Sequence, residues 1–396
     1  MATSRRTEDF DYEYLLHERN VRGLKATNDD QIDPVKDARL EKIGKIVNAK
    51  GQEVYDAKPL GVAIFGLGRI GSIHLDNVLA NPRVSLKYCV EDYAERTNYV
   101  SFVWHLKERG VKMVPVDETD KVLADPEVEA VLVCTPTQTH EKIVVAALNA
   151  GKAVFCEKPL AKGHDAIKRC YALAASKNLP ILCCFNRRFD PGYSQLADRV
   201  RSGEVGQVHV LKTTSRDSPR PSIAYLSTSG GIYQDCAVHD IDLICWVAGE
   251  YPVTVSSQAH TFTDDIRAIN DFDTLAITMK FPSGAIGVID ISRHAIYGYD
   301  IRLEAFGNKG MLTANEKRPT VVTSHADQGS QVAPICFSFA SRFAEGYRKE
   351  LDHFVDVVKQ GKPMLVTASQ TLAVDKIATA AEQSARTGTV IQLKWD

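Results

Sequence analysis

The stretch Leu60-Gly61-Val62-Ala63-Ile64-Phe65-Gly66-Leu67-Gly68-Arg69-Ile70-Gly71 joins a continuous apolar run to a G-x-G-x-x-G turn. The run Leu60 to Phe65 predicts a strand buried on both faces. A helical pattern follows the glycines as far as Asn81-Pro82, and a second strand, Val84 to Val90, ends in Glu91-Asp92. A lone G-x-G-x-x-G says little. After a buried strand, opening a helix, and with Glu91 at the end of the next strand, it reads as a dinucleotide-binding turn. Gly66 permits the tight turn, Gly68 lets the backbone approach a pyrophosphate, and Gly71 lets helix and strand pack closely. The helix entered through Arg69 and Ile70 offers its unpaired N–H groups to the phosphates. Glu91 would accept hydrogen bonds from the adenosine ribose and repel a 2′-phosphate, which favours NAD over NADP. Asp92 is a rival for that role, and Arg69 could soften the preference.

Downstream the same texture repeats. Met113 to Val116 and Val128 to Cys134 read as strands. The helix Glu141 to Ala150 stops at Gly151, and the strand Ala153 to Cys156 runs into Glu157-Lys158-Pro159. A helix from Asp165 to Lys177 and a strand from Ile181 to Phe185 close a unit of alternating strand and helix, hence a parallel sheet covered on both faces. After Asn186 the segments become alternating strands with hairpin signals: Gln207 to Thr214, Thr274 to Phe281, Ala285 to Ser292 and Ile301 to Phe306. One helix beginning near Asp235 interrupts them, and two more, Arg342 to Lys359 and Ala368 to Arg386, precede a last strand, Val390 to Leu393. The fold expected is α/β, a Rossmann domain over 59–186 followed by an α+β domain over 187–396 built on a large, mainly antiparallel open sheet. Residues 1–58, dense in mixed charge, read as a separate arm, with a short amphipathic helix from Ala38 to Val47 as its one ordered candidate. An uncovered sheet face invites burial against a second copy, as a dimer or tetramer.

At 396 residues, 44% of them hydrophobic and 25% charged, the chain suits two soluble domains. A net charge of −2 gives no electrostatic case for nucleic acid or an anionic membrane. No apolar run reaches the ~20 residues of a membrane span, and MATSRRTEDF lacks the apolar core of a signal peptide. The nine cysteines are scattered and include no C-x-x-C pair, so reduced buried thiols and a cytoplasmic location are expected. Cys236 and His239 form a C-x-x-H without a second pair of ligands, and no metal is expected.

The helix after Gly230-Gly231 carries Asp235, His239 and Asp242 at i, i+4 and i+7, which would stack them on one side. Two readings compete. Asp235 at the positive end of the helix and a satisfied core His239 need no chemistry. Alternatively, Asp235 orients and charges His239, which takes a proton from a bound substrate.

Thr135-Pro136-Thr137-Gln138-Thr139-His140, Cys156-Glu157-Lys158-Pro159-Leu160 and Asp235-x-x-x-His239-Asp240-x-Asp242 follow the dinucleotide turn in order. Residues 60–396 resemble the Gfo/Idh/MocA oxidoreductases, and within them the inositol 2-dehydrogenases. The stretches that match the latter are Phe185 to Tyr193, Ser215 to Pro219, Ser229-Gly230-Gly231 and Tyr297-Gly298-Tyr299-Asp300. The resemblance implies Lys158, Asp235 and His239 as the catalytic set. It implies Arg187, Asp217 and Tyr299 near the substrate, Thr135, Pro136 and Glu157 near the nicotinamide, and a cis Lys158-Pro159 bond. It also implies NAD-dependent oxidation of a ring hydroxyl of a cyclic polyol, such as myo-inositol to its 2-keto product. A pyranose dehydrogenase and a non-catalytic dinucleotide-binding regulator are the rivals; the complete Lys158, Asp235, His239 set speaks against the regulator. Ser215 and Asp217 stand where some inositol dehydrogenases have a His and an Asn, so the substrate contacts differ here.

Elementary chemistry agrees with the implied set. Oxidising a secondary alcohol moves hydride to a nicotinamide while the hydroxyl proton goes to a base, for which His239 is suited. An ammonium beside the reacting oxygen, Lys158, favours alkoxide character.

Overall fold

The structure, a computed structural model, describes residues 58–395. The expected arm, apart from Lys58, lies outside the described residues, as does the Ala38 to Val47 helix.

Six parallel strands, β1 (Leu60–Phe65), β2 (Val84–Val90), β3 (Lys112–Val114), β4 (Ala130–Val133), β5 (Ala153–Glu157) and β6 (Ile181–Cys184), form the first sheet in the order β3-β2-β1-β4-β5-β6. Every residue of β1, β4, β5 and β6 is buried, as their unbroken apolar runs require. Helices α1 (Arg69–Ala80), α2 (Ala94–Val103), α3 (Thr119–Ala124), α4 (Thr137–Asn149) and α5 (His164–Lys177) make the crossovers. The strand order reverses between β1 and β4, and the crevice for a dinucleotide opens at their carboxyl ends. Helix α4 starts four residues earlier than the apolar periodicity indicates. Its first turn, Thr137-Gln138-Thr139, is polar because it faces the crevice, so hydrophobic spacing cannot reveal it.

Seven strands form the second sheet: β7 (Val208–Arg216), β8 (Thr254–His260), β9 (Thr274–Lys280), β10 (Ile286–Ser292), β11 (Asp300–Gly307), β12 (Gly310–Ala314) and the terminal Ile391–Gln392. The order is β12-β11-β7-β10-β9-β8-terminal, antiparallel throughout except where β7 lies beside β10. Alternation is clear in β9, whose Leu275, Ile277 and Met279 point into the core. Helix α6 (Pro191–Arg201) is capped by Asp190, which accepts from the N–H groups of Gly192 and Tyr193. Helices α7 (Val238–Ala248), α8 (Ala344–Gln360) and α9 (Ala368–Thr387) follow, and α7 and α9 cover one face of the sheet. More than one helix interrupts this region, since short ones also span Ile223–Leu226 and Asp264–Ala268. A separate exposed hairpin, Thr323–Ala326 with Gly329–Val332, adds to the strands anticipated.

The last two long helices return to the first sheet's helices, α8 against α1 and α9 against α5. Arg83, just after α1, donates to Asp352 at 2.6 Å and to Asp356 at 2.5 Å, and His164 at the start of α5 meets Asp375 at 3.2 Å. The crevice is thus fixed between two bodies that share a covering layer.

Candidate active site

The nucleotide side is built from main chain. Gly66 sits at φ +85°, and a Cβ on Gly71 would lie 2.0 Å from the Gly66 carbonyl oxygen. A Cβ on Gly68 would meet only the Arg96 guanidinium, at 4.0 Å, so open space remains above that backbone. No side chain caps α1 and no acid occupies its first turn, which leaves the dipole's positive end to an outside anion. These features fit a dinucleotide pyrophosphate. Ile70 packs partly buried against the core just below.

Glu91 is engaged by the protein itself. Its Oε2 accepts from the Leu67 N–H at 2.9 Å and from Arg96 at 3.1 Å, and its Oε1 from the Tyr93 N–H at 3.1 Å. It therefore also ties the glycine turn to the end of β2. Asp92, the rival, accepts from the Val116 N–H at 2.8 Å and points toward β3. The Arg69 guanidinium stacks on Phe339 at 4.7 Å and its charge bears on Asp217.

Thr135 and Pro136 lead into α4. His140, fully buried in that helix, bridges the Thr135 carbonyl at 2.7 Å and the Pro159 carbonyl at 2.9 Å, joining the two loops that flank the crevice. The Lys158-Pro159 bond is cis, as expected, and so is Ser218-Pro219. Glu157 accepts from His74 Nε2 at 2.7 Å and from the Lys158 N–H at 3.2 Å, so its carboxylate faces the buried side of the crevice floor.

Lys158 then projects from the end of β5 to the far wall. Its Nζ donates to the Asp235 carbonyl at 2.6 Å and to Asp235 Oδ1 at 3.1 Å. The expected stacking of Asp235, His239 and Asp242 assumes a regular α-helix, whereas residues Tyr233–Ala237 form a wider π turn before α7. Asp235 serves Lys158, the Tyr225 hydroxyl at 2.8 Å and Arg293 at 2.6 Å, whereas Asp242 is buried against Arg188 at 2.6 Å. Asp235 therefore does not orient His239 by a hydrogen bond. Burial opposes its charge, but Lys158 and then Arg293 hold the carboxyl well below the usual carboxylate range.

His239 is half-buried, and its Nδ1 has no protein partner. Burial, then the charges of Lys158 and Arg187, push its pKa well below the ordinary imidazole value against the pull of Asp235. The ring is neutral at pH 7 and free to accept a proton. Arg187 lies under the site more than in it: its Nη1 donates to Asp240 at 2.7 Å and to Ser215 at 3.2 Å. Ser215 donates in turn to Asp240 at 2.7 Å, so this serine takes part in a buried network. Asp217, just after β7, is half-buried; desolvation of its carboxyl, opposed by Arg293 and Arg69, lifts its pKa to about 6. Tyr299 is buried with its ring edge-on to Phe343. Sequence reasoning missed Arg293, Tyr225, His74 and the structural part of His140. For Arg293 no local signal exists, since it is one charge after an alternating strand.

This arrangement has known counterparts. Residues 60–184 match the model of an oxidoreductase family with an NAD-binding Rossmann fold, and residues 193–313 that of the GFO/IDH/MocA C-terminal domain. The chain is 37% identical over 308 residues to a myo-inositol 2-dehydrogenase of Thermotoga maritima, covering 77% of this chain and 90% of that protein. It is 33% identical to a scyllo-inositol 2-dehydrogenase (NAD(+)) of Bacillus subtilis, covering 84% and 95%. The crystal structure of a scyllo-inositol dehydrogenase from Lactobacillus casei with NAD(H) and scyllo-inositol superposes with a TM-score of 0.77 at 28% identity, covering 85% and 99%. The chain thus belongs to the Gfo/Idh/MocA family of NAD-dependent oxidoreductases.

Proposed function

We propose that the protein oxidises one ring hydroxyl of a cyclic polyol, myo-inositol to its 2-keto product being the best-supported reaction. The observation that carries this reading is the ion pair of Lys158, from the end of β5, with Asp235, four residues before His239, whose Nδ1 has no protein partner. NAD, when bound, accepts the hydride. His239 then takes the hydroxyl proton, and the Lys158 ammonium steadies the oxygen as it gains negative charge. Tyr299 and Asp217 supply hydrogen-bonding groups suited to neighbouring hydroxyls, and Arg187 sets the floor beneath them. Such groups discriminate against analogues that lack a hydroxyl, because a buried polar partner is then left unpaired. The cofactor contacts follow the same reading: Gly66, Gly68, Arg69, Ile70 and Gly71 at the pyrophosphate, Glu91 at the ribose, and Thr135, Pro136, Glu157 and Lys158 along the nicotinamide side.

The outer face of the second sheet exposes Ile286, Phe306 and Met311, and a second copy covering that face is part of this reading. The working form is then a homodimer or tetramer. No described helix is long and apolar enough to cross a membrane, and the nine thiols are free, both in keeping with a cytoplasmic enzyme.

The test is NADH appearance with purified protein and a panel of myo-, scyllo- and chiro-inositol, glucose and xylose, repeated with NADP. Turnover of a cyclitol with NAD is expected. Turnover of a pyranose alone would move the protein to the sugar branch, and silence with NAD still bound would remove the enzymatic reading.

A further inference from the structure

Arg293 follows β10 and is fully buried, yet no motif points to it. Its Nη1 donates to Asp235 Oδ2 at 2.6 Å and touches Cys236 Sγ at 3.1 Å, while its Nη2 reaches Asp271 Oδ2 at 3.4 Å. Asp235 Oδ1, the other oxygen, receives both Lys158 at 3.1 Å and the Tyr225 hydroxyl at 2.8 Å. One carboxylate thus serves two cations and a phenol.

The charge arithmetic has a consequence. If Asp235 served Lys158 alone, the pair would be close to neutral and the ammonium would have little field left for a substrate oxygen. Arg293 draws on the same carboxylate from behind. Asp271 compensates Arg293 only in part, because its Oδ1 is committed to the N–H groups of Ile232 at 3.0 Å and Phe272 at 2.8 Å. Asp217 is the other acid that senses Arg293, and desolvation lifts its pKa to about 6. A buried ion cluster of this kind rarely stabilises a protein more than apolar side chains of equal volume would, so stability alone does not account for it.

We propose that Arg293, helped by Tyr225, is a positioning residue of the reaction site: it holds Asp235 away from His239 and shares its charge, so that Lys158 remains an effective cation toward the substrate oxygen. This rests on the reading of Lys158 as the group that faces the reacting oxygen.

The test uses the full chain with Arg293→Met, Arg293→Lys and Tyr225→Phe. Two quantities are measured: kinetics on whichever alcohol of the panel the wild type oxidises, and the rate of reductive methylation of Lys158 at fixed pH, read by peptide mass spectrometry. Arg293→Met should lower kcat about 100-fold, with KM for the alcohol moving less than about threefold. Lys158 methylation should slow by about tenfold, because an ammonium with fewer cations around it gives up its proton less readily. Arg293→Lys should restore the methylation rate and most of kcat. Tyr225→Phe should lower kcat by about tenfold at an unchanged melting midpoint. A merely structural arginine would loosen the pocket instead, so that Lys158 methylates faster and KM rises with the fall in kcat; that result overturns the proposal. If Arg293→Met does not fold, an unchanged kcat in Tyr225→Phe overturns it alone. If the wild type oxidises no member of the panel, the proposed function fails, and the methylation rates still decide how Asp235 is shared.

Discussion

The two walls of the crevice are made of different materials. The nucleotide wall is a turn in which glycines bring backbone to within contact of backbone, from the Gly66 carbonyl beneath Gly71 to the Cys134 carbonyl beside Gly66. The substrate wall gathers Lys158, Arg187, Asp217, Tyr225, Asp235, His239, Arg293 and Tyr299 from segments up to 141 positions apart. On the first wall a single atom too many ruins the geometry. On the second, geometry is held by ion pairs, and what can be lost is charge. Shape fails all at once, whereas charge can be titrated.

The largest effect is expected on the substrate wall. His239→Ala should lower kcat by about a thousandfold while NAD affinity stays at the wild-type value, checked by steady-state kinetics beside fluorescence titration of the cofactor. Wild-type rates in that variant would put the proton elsewhere, with Lys158 as the next acceptor to test.

Gly71→Ala attacks the nucleotide wall. A Cβ placed 2.0 Å from a backbone oxygen cannot be relieved by turning a side chain. It should cost about 3 kcal/mol of stability and take cofactor binding with it, read from denaturant unfolding and the same titration. A stable Gly71→Ala protein that binds NAD normally would erase the distinction between the walls.

Glu91→Ser removes the acceptor for the Leu67 N–H as well as the acid at the ribose. NAD should bind about tenfold more weakly, and the NAD over NADP preference should shrink. A weaker preference with unchanged NAD affinity would mean that Glu91 reads the ribose without bracing the turn.

The smallest effect is the titration of Asp217. Its pKa of about 6 in the folded protein lies above the ordinary carboxylate value, so the native state keeps a proton that the unfolded chain has released. Its contribution to stability is therefore full below about pH 4 and is lost as pH rises to about 6. Substrate binding runs the other way, since an ionised Asp217 is the better acceptor for hydroxyls. KM should fall severalfold across pH 5 to 7 and become flat in Asp217→Asn. A slope that survives in Asp217→Asn belongs to another group.

The same contrast sorts what the sequence could tell. The run from Leu60 to Gly71 is a local grammar of buried strand, glycine turn and helix, and each glycine stands where that grammar requires. The second sheet was legible by alternation, as in β9. Helix α4 began earlier than its periodicity because the polar first turn faces the crevice. Asp235 and His239 were placed on one face by assuming an ordinary helix, whereas Tyr233–Ala237 forms a π turn and Asp235 hydrogen-bonds Lys158, Tyr225 and Arg293 instead of His239. No single-sequence pattern records that turn, nor the arrival of Arg293 from the end of β10 against Asp235. The stacking of Arg69 was hidden for a similar reason: its aromatic partner, Phe339, lies 270 positions away.

The shared covering layer has a consequence for how the chain is made. The first sheet leaves the ribosome early, but the acids that engage Arg83 and His164 arrive some 200 to 270 residues later. At ordinary synthesis rates that is a wait on the order of ten to fifty seconds. During it the nucleotide-binding half exposes the faces of α1 and α5 that α8 and α9 will cover, and it competes for chaperones as an unfinished surface. Completion of the C-terminal helices, and not closure of the first sheet, is then the event that commits a nascent chain to its native state.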